Sequence, residues 1–206
     1  MSAPLKPEDF FLSNDWEPAV APVSDFRRAA RMGHAKYFDV ATIAHVLARE
    51  ADEFVGGETV VSIVGNDLPN VAKEEYPWAA TLQEWLKRGA TVRYLAIEPA
   101  EKALDKLRML AAGAAPGKLE VRRLNRASLP NDGMKKLATM WKTHHFVVFD
   151  DPKNPQFWVE TFHPPVFTEA RDCFYFGPQH VTETAQFDLC RSEFDFMYQN
   201  HGDVLV

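Results

Sequence analysis

Two histidines and two aspartates bracket one apolar run, which opens with His144-His145 and closes with Asp150-Asp151. Histidine is the usual acid–base residue near neutral pH and a common metal ligand, so the run could move protons or hold an ion. On a strand, however, adjacent side chains point to opposite faces, and the two histidines cannot both face one ion. We therefore expect no metal site here. Two hypotheses stay open for His144: an acid–base residue or a structural one.

The usual motifs for bound nucleotides and activated nucleophiles are missing. The loop Gly65-Asn66-Asp67-Leu68-Pro69 has one glycine, whereas a dinucleotide site needs several so that the backbone can approach a pyrophosphate. The chain has no P-loop and no GxSxG nucleophile motif. Its two cysteines, Cys173 and Cys190, lack zinc-like spacing and are typical of reduced core residues in a cytosolic protein. We expect no cofactor and a cytoplasmic location.

Charge is unevenly distributed along the chain. The 206 residues carry a formal net charge of −6, from 23 Lys+Arg and 29 Asp+Glu. Residues 85–143 nevertheless hold 13 basic and 5 acidic side chains, a net of +8. Net acidity argues against a protein that coats nucleic acid with its whole surface, but a basic segment permits a local phosphate site. Two interpretations stay open: a solvated face that matches acidic parts of the same fold, or a surface for nucleic acid or an acidic protein.

The candidate ligand-binding residues lie at the ends of predicted strands. They are Asn66, Asp67, Glu98, Arg122, Arg123, Asn125 and Arg126. Ligands of α/β sheets usually bind at the carboxyl edge, where the loops after parallel strands open. We expect Asn66, Asp67, Glu98 and Asn125 to cluster at that edge, beside the three arginines.

Apolar periodicity predicts strands that alternate with helices. The predicted strands are 59–64, 91–97, 119–124, 144–150, 156–162 and 173–176. The predicted helices are 40–54, 78–86, 103–111, 134–141 and 179–199. In the last helix, Phe196 falls on an apolar stripe with Val181, Ala185 and Leu189, which predicts a packed position.

This alternation predicts βαβ units, and therefore an α/β fold with a helix-covered, mostly parallel mixed sheet. The strand 144–150 is apolar on both faces, so it belongs in the middle of the sheet. The segment Asp151-Pro152-Lys153-Asn154-Pro155 is a tight turn, which predicts an antiparallel hairpin with strand 156–162.

The chain is predicted to have two parts, an extended arm at residues 1–24 and a single α/β domain at residues 25–206. The arm has four of the fourteen prolines, which block regular structure. It also has Phe10, Phe11 and Trp16, which would pin it to a body on this chain or on a second copy. No apolar stretch is long enough for a transmembrane helix, so we expect no membrane partner.

Two segments resemble the phospholipase D superfamily. The run Ala80-Thr-Leu-Gln-Glu-Trp-Leu-Lys-Arg-Gly-Ala-Thr-Val-Arg-Tyr-Leu-Ala-Ile97 is similar to that superfamily's helix–Gly–strand segment. The run Thr143-His-His-Phe-Val-Val-Phe-Asp-Asp151 resembles its signature strand, in which His, any residue, Lys, four residues and Asp occur in order. Aligned in this way, His144 takes the histidine place and Asp151 the aspartate place, while Phe146 stands in the lysine place.

The resemblance covers about residues 40–200 and implies a phospholipase D-like fold. In that family one histidine attacks phosphorus and a second, from another signature copy, protonates the leaving group, so one signature per chain implies a homodimer. The implied catalytic residues are His144 and Asp151, with His163 near the place of the family's asparagine. Phe146 puts an apolar ring where a cation should offset phosphate charge, and the loss of one such donor typically costs roughly 10²–10³ in rate.

We therefore expect a degenerate phospholipase D-like protein that is non-catalytic or weakly catalytic. It would act as a binding or accessory module for a phosphate-bearing ligand, a nucleic acid or a partner protein. One alternative is an active homodimeric phosphodiesterase or nuclease with His144 as its nucleophile. Another is a pure protein-interaction module.

Overall fold

The structure, a computed structural model, describes one mixed sheet and the helices that cover it. The described residues are 36–38, 54–66, 71, 78–141, 144–153, 155–162, 171–176 and 185–206. The predicted arm at residues 1–24 lies outside this part of the chain, and so does the predicted helix 40–54 apart from Phe54.

Each of the six predicted strands is present. The strands are β1 (Lys36–Phe38), β2 (Val60–Gly65), β3 (Thr91–Ala96), β4 (Leu119–Leu124), β5 (His144–Asp150), β6 (Gln156–Phe162), β7 (Arg171–Phe176) and β8 (Gly202–Val204). The helices are α1 (Trp78–Lys87), α2 (Glu101–Ala112), α3 (Asp132–Met140) and α4 (Ala185–His201), and a 3-10 turn, Arg126–Ser128, follows β4. No helix in these ranges is both long and apolar enough to cross a bilayer.

The eight strands form one sheet in the order β1-β7-β6-β5-β2-β3-β4-β8. Among the strands of the described residues, the parallel pairs are β2–β3 and β3–β4. The other five pairs are antiparallel. The α/β class and the mixed sheet are therefore confirmed, whereas the parallel part is smaller than the expected mostly parallel sheet.

The connections explain this division. A parallel pair needs a crossover of a dozen or more residues, and α1 and α2 supply the two crossovers of β2-α1-β3-α2-β4. The turn after Asp150 is short, so β6 can only return antiparallel to β5, with Phe149 opposite Gln156. The predicted hairpin is confirmed. The sequence pattern does not indicate the direction of β5 relative to β2. In the structure these two strands are antiparallel, with Val64 opposite Phe146.

The strand β5 is buried on both faces, as its sequence predicts. On the first face, Val147 and Phe149 pack in a core with the apolar residues of α1 and α2. On the second face, Phe146 and Val148 pack in a core with residues of α3 and α4. The described part of the fold is thus a sheet between two helical layers, with β5 in its interior.

Gly89 ends α1 and turns the chain directly into β3. Its φ of +89° lies in the left-handed region, which glycine adopts without steric cost. A Cβ atom at this position would lie 3.4 Å from the Cα of Gly57, so the backbone also passes close by. Lys118 Nζ donates to the Gly89 carbonyl at 2.7 Å and joins the turn to the start of β4.

The position of Phe149 in the first core yields a stability prediction. Its side chain is fully buried, and its ring packs edge-on at 5.6 Å from the rings of both Phe54 and Trp85. Phe149→Ala leaves a cavity and is expected to lower the free energy of unfolding by about 3–5 kcal/mol. Urea denaturation measures this loss. Met109→Ala, at a side chain that is 70% exposed, is the control and should change stability by no more than about 0.5 kcal/mol. Equal effects of the two substitutions would contradict this core assignment.

Candidate functional site

The carboxyl ends of the three parallel strands meet at one edge of the sheet. Asn66 follows β2, Glu98 follows β3 and Asn125 follows β4. The Glu98 amide donates to the Asn66 carbonyl at 3.1 Å, and the Asn125 amide donates to the His201 carbonyl at 2.7 Å. The structure therefore places these three candidate ligand residues, together with the end of α4, along the same edge. Asp67 lies outside the described residues.

The antiparallel direction of β5 brings its first residue, His144, to this edge as well. Val64 lies opposite Phe146, so His144 lies at the level of Asn66. Asp151 follows the last residue of β5 at the opposite edge, because a seven-residue strand spans about 20 Å. The structure thus separates His144 from Asp151 within one chain, and His163 lies outside the described residues.

Asp151 stabilises the turn between β5 and β6. Its side chain is buried, and its Oδ2 accepts a hydrogen bond from Thr59 Oγ1 at 2.7 Å. Its Oδ1 accepts from the Lys153 amide at 2.9 Å, and Thr59 Oγ1 in turn accepts from the Gly56 amide at 3.1 Å. These donors satisfy a buried carboxylate that would otherwise be costly, and they hold two loops together at the edge remote from His144.

Phe146, in the lysine place of the resemblance, belongs to the second core. It is 6% exposed, and its ring packs edge-on against Trp141 with centroids 5.4 Å apart. An ammonium group could not take this position without losing its hydration.

The three arginines predicted to bind ligand point in three directions. Arg122 lies beneath α4, where it donates to Glu120 and, at 2.9 Å, to the Tyr198 carbonyl. Arg123 is the next residue on the strand, so it points to the other face of the sheet, where Asp203 is its cross-strand neighbour. Arg126 is exposed in the 3-10 turn, and its Nη2 donates to Thr139 Oγ1 of α3 at 2.8 Å.

A further arginine, Arg93, shows that part of the basic segment is matched by acidic residues of the same fold. Its guanidinium donates to Ser62 Oγ at 2.7 Å and lies 2.9 Å from the Asp195 carboxylate. It also lies over the Phe194 ring at 5.1 Å from the centroid. Arg93 and Arg122 therefore both connect α4 to the sheet.

Three exposed cations at this edge, Arg126, Lys135 and Lys136, form together with Ser128 and Thr139 a surface that we call the edge strip. Within the described ranges, Arg126 and Lys136 make no ion pair, and both are exposed. Lys135 has only Asp132, at 3.8 Å, and both side chains are more than half exposed. Such an exposed pair contributes little. The edge strip therefore keeps most of its positive charge.

A serine and a histidine 73 positions apart in sequence meet beside the edge strip. Ser128 Oγ lies 2.8 Å from His201 Nδ1 and donates to the Asn125 carbonyl at 2.8 Å. Because a hydroxyl has one proton, Ser128 then accepts from His201, which carries its hydrogen on Nδ1. No local spacing in the sequence signals this pair, because the contact joins a turn to the end of a distant helix.

Burial suppresses the most obvious nucleophile on α4. Burial, together with a smaller effect of the nearby Glu193 carboxylate, raises the pKa of the Cys190 thiol to about 12. At neutral pH the thiol is therefore protonated and unreactive. Among the described residues, no group of three or more His, Cys, Asp and Glu side chains is placed to hold a metal ion.

Comparisons with known proteins add a fold-level likeness only. No family model and no curated protein matches this chain. Among the solved structures that match is TrmBL2, an archaeal chromatin protein whose structure shows a novel mode of DNA binding. Its TM-score to this chain is 0.48 with 9% sequence identity, and the match covers 89% of this chain and 61% of TrmBL2. A likeness at this level carries no functional argument.

Glu193 on α4 generates a prediction about pH. Burial raises the pKa of its carboxyl above the usual value. The folded state therefore binds this proton more tightly than the unfolded state does. The stability that comes from this difference is complete below the unfolded pKa and is lost as the pH rises through the folded pKa. Glu193→Gln is expected to raise the free energy of unfolding at pH 7 and to change it little below the unfolded pKa of about 4.3. Urea denaturation at both pH values measures the difference.

The matched control is Glu58→Gln, which removes the same charge from an exposed position. It should leave stability nearly unchanged at both pH values. A Glu193→Gln variant that is less stable than the parent at pH 7 would show that the ionised carboxylate has a favourable partner.

Proposed function

We propose that this chain is a non-catalytic module that binds the phosphate backbone of a nucleic acid through the edge strip. The observation that carries the proposal is the pair Arg126 and Lys136, both exposed and both without a carboxylate partner in the described part of the chain. Phosphate neutralisation by Lys and Arg supplies most of the non-specific affinity for nucleic acid. A few unmatched cations at one edge suit such a ligand.

The geometry of the edge strip favours several phosphates in a row over a single one. Arg126 is joined to Thr139 at 2.8 Å, and Lys135 and Lys136 lie one helical turn before Thr139 on α3. The cations thus come from two elements that are held side by side, and they do not converge on one point. The hydroxyl protons of Ser128 and Thr139 are donated to the Asn125 and Lys135 carbonyls, so the phosphate contacts in this proposal come from the cations.

The non-catalytic part of the proposal is supported by the signature strand. Phe146 is a core residue, and Asp151 is bound to Thr59 at the edge remote from His144. We keep a phospholipase D-like origin and a homodimer as parts of the proposal, since both follow from the sequence pattern around His144. In this proposal, the edge of the sheet at which His144 lies serves for binding and not for catalysis.

A salt titration tests the edge strip. The logarithm of the binding constant should fall linearly with the logarithm of salt concentration, with a slope of about −0.9 for each phosphate neutralised in a duplex. The double variant Arg126→Ala with Lys136→Ala is expected to reduce the magnitude of this slope by about 1.8. Fluorescence anisotropy with a labelled DNA duplex measures it.

The control double variant is Lys102→Ala with Lys106→Ala, which removes the same charge from exposed positions on α2, over the opposite face of the sheet. Its slope should equal that of the parent. Equal losses in the two double variants would mean that binding follows net charge alone, and no measurable binding by the parent at low salt would refute the proposal.

Hydrolysis of a generic phosphodiester tests the non-catalytic part. We expect the parent and His144→Ala to release product at the same background rate, because no cation occupies the place of Phe146. The assay uses a chromogenic bis-aryl phosphate over a range of pH. Activity in the parent that disappears in His144→Ala would instead establish His144 as a catalytic residue.

A further inference from the structure

An exposed aromatic side chain lies at one end of the edge strip. Phe196 of α4 is 45% exposed, although its place on the apolar stripe predicted packing. The other exposed large apolar side chains in the described ranges are Met109 and Val204. Phe196 is thus the one aromatic ring among them, and it lies next to His201, with ring centroids 5.4 Å apart.

Direct contacts connect Phe196 to the cations. His201 bonds Ser128 at 2.8 Å, and Ser128 belongs to the same 3-10 turn as Arg126. Arg126 in turn bonds Thr139 of α3. The aromatic ring, the histidine, the hydroxyl groups and the cations therefore form one continuous surface built from α4, the turn after β4 and α3.

Most of the side chains around Phe196 on its own helix are uncharged. Of its neighbours one turn away, Ser192, Gln199 and Asn200 are exposed and uncharged, and the fourth, Glu193, is half-buried. The nearest carboxylates of α4 are partly buried: Asp195 pairs with Arg93 at 2.9 Å, and Glu193 lies toward the protein interior. A polyanion that approaches the ring therefore meets mostly uncharged side chains of α4, with the half-buried Glu193 as the carboxylate one turn away.

We infer that the ligand is a single-stranded nucleic acid, one base of which stacks on Phe196 while neighbouring phosphates contact the edge strip. This inference rests on the proposed function and specifies its ligand. Bases in a duplex already stack on each other, whereas unpaired bases are free to stack on an aromatic side chain. A cationic track beside an accessible ring is the arrangement that binds single strands with little sequence preference.

Phe196→Ala tests the inference. The affinity for oligothymidylate should fall roughly 5- to 150-fold, the range for the loss of one base–aromatic stack, while the affinity for a duplex of equal length stays unchanged. Phe196→Trp should retain or exceed the parent's affinity for the single strand. Anisotropy titrations at one salt concentration measure all three proteins, and far-ultraviolet circular dichroism checks that each is folded.

The control is Met109→Ala, which removes an exposed apolar side chain from α2 and should change neither affinity. Single-strand affinity that is unchanged in Phe196→Ala would overturn the stacking site, and so would equal losses for single strand and duplex. If the Arg126 and Lys136 variant still lowers the salt slope in that case, the proposed function stands without this inference. A parent that binds neither ligand overturns both.

Discussion

The strand β5 has no polar side chain from Phe146 to Phe149, so both sides of the sheet at this position must be covered by helices. This requirement fixes the layers, with α1 and α2 on one face and α3 and α4 on the other. The strand β5 also connects the parallel and the antiparallel parts of the sheet, because it runs antiparallel to both β2 and β6. As a result, the first residue of β5 reaches the edge where the parallel strands end. The burial of this one apolar strand therefore accounts for the helical layer of α3 and α4, on whose side of the sheet the edge strip lies.

The docking of α4 depends on charges as well as on apolar packing. Phe194 and Met197 fill the second core, and Arg93 bonds Ser62 and Asp195 at the boundary of that core. Half-buried ion pairs of this kind contribute more to the choice of one arrangement than to net stability, since desolvation offsets much of their attraction. In this fold Arg93 joins α4 to β2 through Ser62 and Asp195, in the same orientation of the helix that buries Phe194 and Met197. Phe196 is exposed because Phe194 and Met197, which flank it on the helix, are the residues that face the core.

Periodicity predicted most of the elements, because period-two and helical patterns report directly on burial. The pattern could not predict strand direction: β5 has the same sequence signature in a parallel or an antiparallel sheet, and only tertiary packing decides. Phe196 was placed on an apolar stripe, yet Ser192, Gln199 and Asn200 lie one turn away from it, and these polar residues were the signal of an exposed face. The contact between Ser128 and His201 has no such signal, since it depends on where α4 ends relative to β4.

The arginines of the basic segment have different positions in the fold. Arg93 and Arg122 bind α4, and Arg123 lies on the other face of the sheet, opposite Asp203. At the carboxyl edge of the sheet, this leaves a small set of cations around Arg126, on a protein whose net charge is −6. At physiological salt the screening length is about 8 Å, so acidic groups farther away hardly weaken the local attraction. The electrostatic potential at the edge strip is therefore set by the few charged groups within that distance, and the net charge of the whole chain does not cancel it.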